Sequence, residues 1–253
     1  MIKVKIRKKI KYYLVGLLVV VLAIFAQKKQ SQRKIARIEV NIDNQYKNYF
    51  INQGDVRNIV TKNGKKKIIG EFFDKINLRE LEILLEANKF VKKAQVFSDL
   101  EGSLFVYIIQ NRPVARLVRE NAPDAYLSEE GEILPLSDTY TARVPLVSGR
   151  YVEEFLKEEK FQQEKIEPML EIVDFVRKDP FWSVQIAQME ISDHQSITLY
   201  PQLGNQRIVF GKAEDIQEKF RKLKIFYKEI LPKKGWNYYK TVDLRYFKQI
   251  LCE

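Results

Sequence analysis

The chain is poor in the residues on which most protein chemistry runs. It has one cysteine, Cys252, and one histidine, His194, among 253 residues. A lone cysteine excludes any disulfide within the chain, so the body must be held together by its core. A Cys–His nucleophile pair would have only these two residues to use, and a zinc site would need carboxylates in place of the missing ligands. His194 falls in Ser192-Asp193-His194-Gln195, a turn between two predicted strands, where a solvated polar residue is the simple reading. A phosphate-cradling loop is missing too. Gly64-Lys-Lys-Lys-Ile-Ile-Gly70 lacks the Gly-Lys-Ser/Thr ending and reads as a basic surface loop. The acid doublets Glu129-Glu130, Glu153-Glu154 and Glu158-Glu159 are of the residue type that glycoside hydrolysis uses, but adjacent acids in turns and helix starts read as solvated faces. No catalytic, metal or cofactor site is expected.

Acid is absent from the N-terminus. Residues 1–34 carry ten lysines or arginines and no aspartate or glutamate, while the remaining 219 hold 34 bases against 33 acids. The net charge of +11 thus belongs to the leading segment, and the balanced body leaves no basic surplus for nucleic acid. Within that segment lies the one long apolar run, fifteen charge-free residues from Tyr12 to Ala26. At about 1.5 Å per residue such a run covers roughly 22 Å, short of a hydrocarbon core of about 30 Å. Ile10 and Gln27 extend it, with Lys11 and Lys28 snorkelling and Tyr12 and Tyr13 at the interface. The expectation is an uncleaved, single-pass transmembrane helix over 12–27 behind a basic cytoplasmic head, 1–11. A signal peptide cut after Ala23 is the rival reading, and Ile24 and Phe25 argue against it by continuing the run. The excess of bases before the run puts the N-terminus in the cytoplasm and the body outside the membrane.

Along the body, Ile35 to Ile42 alternates as a strand and 52–62 spaces its apolar residues as a short helix. A clearer helix starts at Asn77, with Glu80 in capping-box position and Leu78, Leu81, Leu84 and Leu85 as its buried stripe. Strands Val91–Phe97 and Leu104–Gln110 flank a hairpin turn, so the order is β-α-α-β-β: two helices on a three-stranded sheet. After Pro113 the texture is β-rich. Short strands are predicted at 114–119, 125–127, 132–134, 144–147, 184–191, 197–200 and 207–210, with two helices at 165–178 and 214–231. Pro168 falls in the first turn of one, and Pro232 with Gly235 ends the other. A last strand runs from Asn237 to Phe247. The fold class is α+β, with domains at 35–112 and 113–250.

Three places resemble one family. Val91-Lys-Lys-Ala-Gln-Val96 is similar to a strand of the POTRA domain of the FtsQ/DivIB cell-division proteins. Gln110-Asn-Arg112-Pro113-Val114-Ala115 is similar to their domain junction, and Tyr239-Lys-Thr241-Val-Asp243-Leu-Arg245-Tyr246 to their C-terminal strand. The resemblance implies a non-enzymatic divisome scaffold in the inner membrane at the septum. Its implied partners are FtsB- and FtsL-type proteins, through them the septal peptidoglycan synthase, and FtsK-like proteins besides. A POTRA-type export or outer-membrane assembly chaperone and an envelope glycan hydrolase are the alternatives.

Independently of the family, the last strand has the properties of a docking edge. Alternation turns Val242 and Leu244 inward and Tyr239, Thr241, Asp243 and Arg245 outward. A terminal strand at a sheet edge can pair with an extended peptide by backbone hydrogen bonds. Trp236, Tyr239 and Tyr246 are anchor-type aromatics beside it. Arg112, Pro113 and Val114 are expected to end one strand, start the next and set the angle between domains.

Overall fold

The computed structural model describes residues 12–22, 33–157 and 163–253. The expected head at 1–11, the end of the apolar run at 23–27 and the Glu158-Glu159 doublet lie outside these. A helix, α1, covers 12–22, and no helix among the described residues is long and apolar enough to cross a membrane. The transmembrane helix expected over 12–27 is therefore represented only by these eleven residues.

Two compact units divide at Gln110/Asn111. In the first, two asparagines set the helix starts. Asn52 caps α2 (Gln53–Val60) by accepting from the Asp55 N–H while Asp55 accepts from the Asn52 N–H, a complete capping box. Asn77 caps α3 (Leu78–Glu86) by accepting from the Glu80 N–H at 3.2 Å. Both helices bury one face, through Val56, Val60, Leu81 and Leu85, against a sheet of β1 (Arg37–Asp43), β3 (Ser103–Gln110) and β2 (Val91–Ser98) in that order. β1 runs parallel to the central β3, and β2 pairs antiparallel on its other side. The basic stretch 64–70 is a turn-rich loop, as expected, and a 3-10 turn at Phe73–Lys75 follows it.

Gln110 closes this unit in a way that polarity pattern did not show. Its buried side chain accepts from the Phe50 and Ile51 N–H groups and donates to Asn48 O at 2.8 Å and Asn44 Oδ1 at 3.0 Å. A glutamine at the end of a strand thereby satisfies the backbone of the loop that connects β1 to α2.

The second unit is built on a nine-stranded sheet. Its strands are β4 (Pro113–Leu117), β5 (Ala125–Ser128), β6 (Ile133–Leu134), β7 (Leu146–Ser148), β8 (Ile186–Ile191), β9 (Ile197–Pro201), β10 (Arg207–Gly211), β11 (Thr241–Asp243) and β12 (Leu251–Cys252). Their spatial order is β12-β11-β10-β9-β8-β7-β4-β5-β6. Between them lie α4 (Arg150–Lys157), α5 (Gln163–Lys178), α6 (Trp182–Gln185), α7 (Ile216–Ile225), a π turn at Phe226–Ile230 and α8 (Leu231–Lys234). Only two helices were expected. α4 and α6 were missed because eight and four residues carry too little periodicity to register.

Two prolines also depart from expectation. Pro168 lies inside α5 rather than in its first turn, because the helix starts at Gln163. Pro232 does not stop the last helix, which continues through α8 to Lys234. The π turn directly precedes it, so the helical hydrogen-bond pattern has already changed where the proline lacks its donor. Gly235, at φ +103°, makes the stop. The core of this unit centres on Trp182, which touches Phe181, Phe220 and Tyr227, with ring centroids 5.0 Å apart for the Phe220 pair.

Candidate functional site

The terminal segment forms two very short strands instead of one long one. β11 keeps the predicted alternation, with Val242 and Leu244 fully buried and Thr241 and Asp243 half-buried. Its position in the sheet differs from the expectation. β11 is parallel to β10 on one side and antiparallel to β12 on the other, so its backbone is bonded along both flanks by its own molecule. The open edge expected at 239–246 is overturned. The chain turns back after Leu244, and residues 251–253 cover the strand that sequence had placed outermost.

The edge therefore moves one strand out. Thr241 and Glu253 exchange both backbone hydrogen bonds, at 2.9 and 3.0 Å, and the next register pair is Val242 with Cys252. In an antiparallel ladder the pair after a hydrogen-bonded pair is not bonded inward. The N–H and C=O of Cys252 consequently face away from β11, on the sheet's outer side.

What builds the turn between β11 and β12 is Lys222 of α7. Its buried ammonium donates to three backbone carbonyls of that turn: Leu244 at 3.0 Å, Tyr246 at 2.7 Å and Gln249 at 3.2 Å. An ammonium has three donors, and here all are used. One turn earlier, Lys219 is buried likewise, donating to Lys212 O at 2.8 Å and lying over the Phe210 ring. Of the apolar stripe that helical spacing gives over 214–231, Ile216, Phe220, Leu223 and Tyr227 are buried and Ile230 is half-buried, and the two lysines are buried beside it. A lysine whose partners are backbone carbonyls leaves no complementary acid in the sequence to reveal it.

The predicted site residues scatter around this edge with unequal exposure. Trp236 and Tyr246 are exposed, as are Tyr238, Phe247 and Leu251, which were not singled out. Tyr239 is half-buried, stacked obliquely on Phe226 at 5.9 Å, so it belongs partly to the core. The backbone carbonyl of Trp236 accepts from the Gln206 amide, which ties this segment to the loop before β10. Arg245 folds back on Asp243, 2.6 Å away, and its stem lies over Gly211, where an added Cβ would meet it at 2.9 Å. Burial works against the Asp243 carboxylate, but the Arg245 guanidinium and amide outweigh it and hold the acid below its usual range. Burial pushes the Cys252 thiol up.

At the other end of the unit, Pro113 opens β4 as expected, with Val114 buried behind it. Arg112 lies 3.6 Å from Glu129, which also binds Arg177 at 2.8 Å. Glu153 accepts from the Glu120 N–H at 2.7 Å and lies 3.9 Å from Arg119. Both first members of the described acid doublets thus serve as ties between elements. His194 sits in its turn with its side chain 91% exposed. Among the described residues no group of three or more His, Cys, Asp or Glu is placed to hold a metal ion.

Comparison with known proteins finds two family models. One described as FtsQ/DivIB, C-terminal related, matches residues 112–253, more than half of the chain. One described as a POTRA-like domain matches residues 33–109. No curated protein matches. Domains of both kinds are generally non-enzymatic scaffolds. With the first model over residues 112–253 and the second over 33–109, the chain belongs to the FtsQ/DivIB family of bacterial division-site scaffold proteins.

Proposed function

We propose that this chain is a bitopic inner-membrane protein that gathers FtsB- and FtsL-type partners at the septum by adding one of their strands to the outer edge of β12. The observation that carries this reading is the position of β12. It is the last strand of a nine-stranded sheet, with the Cys252 N–H and C=O directed outward. Tyr246, Phe247 and Leu251 stand exposed around it, Phe247 at 79%. Backbone pairing supplies affinity in such an arrangement, and apolar side chains at alternate positions set register. Aromatic anchors at the rim supply the concentrated binding energy. Arg245 provides the polar margin. The anchor is supported by α1, whose leucines and valines are all more than half exposed, with nothing among the described residues to bury them. The septal peptidoglycan synthase is reached through the same partners. FtsK-like proteins are assigned no contact surface. Junction residues Arg112, Pro113 and Val114 serve to fix the start of the larger unit.

Cys252→Pro tests the edge directly. Proline deletes the outward N–H while leaving the Thr241–Glu253 pair that joins β12 to β11. The expected result is loss of binding to the extracytoplasmic segment of an FtsB-type partner with the melting temperature unchanged. Undiminished binding would refute strand addition at β12.

A further inference from the structure

The lysine-rich loop that follows α2 is not explained by strand addition. Lys65, Lys66 and Lys67 follow one another, Lys62 and Ile69 flank them, and Ile69 is 52% exposed. Lys62 is 3.4 Å from Glu80, but no carboxylate pairs with Lys65, Lys66 or Lys67 among the described residues. A basic loop is ordinarily just a solvated one, so its position decides what it can do.

That position is set by backbone hydrogen bonds to the start of the unit. The Ile35 N–H donates to Glu71 O at 2.9 Å, the Gly70 N–H to Ile35 O at 2.7 Å and the Phe73 N–H to Arg33 O at 3.0 Å. Lys34 bridges Phe72, and Ile35 and Ile68 are each 1% exposed. The loop is thus fastened at its base to residues 33–35. Seven Cα–Cα steps separate Arg33 from Ala26, the end of the apolar run. At full extension they reach about 25 Å, whatever path they take. With the proposed anchor in a bilayer, the base of the loop lies within that distance of the membrane, where the ammonium groups of Lys65, Lys66 and Lys67 can meet anionic headgroups.

We infer that this loop seats on the anionic headgroups of the membrane that holds the chain, with Ile69 entering the interface and Lys65, Lys66 and Lys67 on the phosphates. The inference rests on the anchor proposed above. Its consequence is orientation: a unit held at two points, anchor and loop, cannot swing freely about its tether.

The test uses the full chain with Cys252→Ser and Ile69→Cys, the new thiol carrying a polarity-sensitive fluorophore. The labelled protein is reconstituted into vesicles of phosphatidylcholine alone or of phosphatidylcholine with phosphatidylglycerol. Emission is expected to rise several-fold only in the anionic vesicles, to fall back in high salt, and to be lost when Lys65, Lys66 and Lys67 are changed to Gln. A chain that floats with both vesicle types while the probe stays unresponsive overturns the loop's seat and leaves the anchor standing. A response equal in neutral vesicles, or one that survives the triple change, overturns it as well. Failure to float with neutral vesicles overturns the anchor reading and, with it, this one.

Discussion

Lys222→Met should loosen the C-terminal edge more than any surface change near it. The wild-type ammonium donates to three carbonyls of one turn, at 2.7–3.2 Å, from a side chain that is 7% exposed as a residue. A hydrogen bond to a charged group is worth about 1.5–3 kcal/mol, and carbonyls stripped of their donor keep their desolvation cost. Three bonds share one ammonium, and methionine spares the penalty of burying a charge. A net loss of about 2–4 kcal/mol is therefore reasonable. The strands themselves offer little resistance, since β11 and the terminal segment meet over only three residue pairs, Thr241–Glu253, Val242–Cys252 and Asp243–Leu251. The loss should appear as local opening. At 1.4 kcal/mol per tenfold, amide exchange of Thr241 and Glu253, which bond each other across the hairpin, should accelerate roughly 30- to 700-fold. Global melting should fall by about 6–12 °C if the whole unit shares the loss. Lys219→Met is the control, because its ammonium serves Lys212 O and touches nothing in the hairpin. Unchanged exchange at Thr241 and Glu253 in Lys222→Met would show that the turn holds itself and that the lysine is incidental.

Gly149→Ala should unfold the larger unit or destabilise it severely, by on the order of 4 kcal/mol or more. The residue sits at φ +109°, and a Cβ would meet the Ile191 carbonyl oxygen at 2.2 Å, so both backbone strain and a collision with β8 follow; thermal melting measures it. Cys252 should react with a disulfide reagent far more slowly in the native protein than in the unfolded chain at the same pH. Burial raises its pKa and so depletes the thiolate in the native state, and Lys222→Met should restore much of the rate.

Much of the fold was written locally. Asn77 with Glu80, the stripe of Leu78, Leu81, Leu84 and Leu85 and the alternation of Val91–Phe97 each depend on neighbours within one turn or one pleat, and the structure shows the cap, Leu81 and Leu85 buried with Leu78 and Leu84 half-buried, and the strand. The junction pattern at Arg112-Pro113 was legible for the same reason, since proline carries its restriction in its own ring. The exchange of an edge was not legible. Alternation identifies which side chains of 239–246 turn inward, and the structure agrees for Val242 and Leu244. It says nothing about which strand lies alongside, because pairing in the plane of the sheet uses backbone groups that every residue shares. Residues 251–253 carry no strand pattern of their own. They become a strand because Lys222, more than twenty positions away, bends the intervening chain back against β11.

Sequence alone determined the strongly periodic elements, the charge-free run beneath its basic head, the shortage of nucleophiles and metal ligands, and the family. These are properties of composition and of spacing within a few residues. Only the tertiary structure decided which strand is outermost, which lysines are buried, and that the loop at 62–72 is bonded to residues 33–35. Each of those depends on contacts between distant segments, where backbone amides and carbonyls do the recognising and side-chain identity leaves little trace.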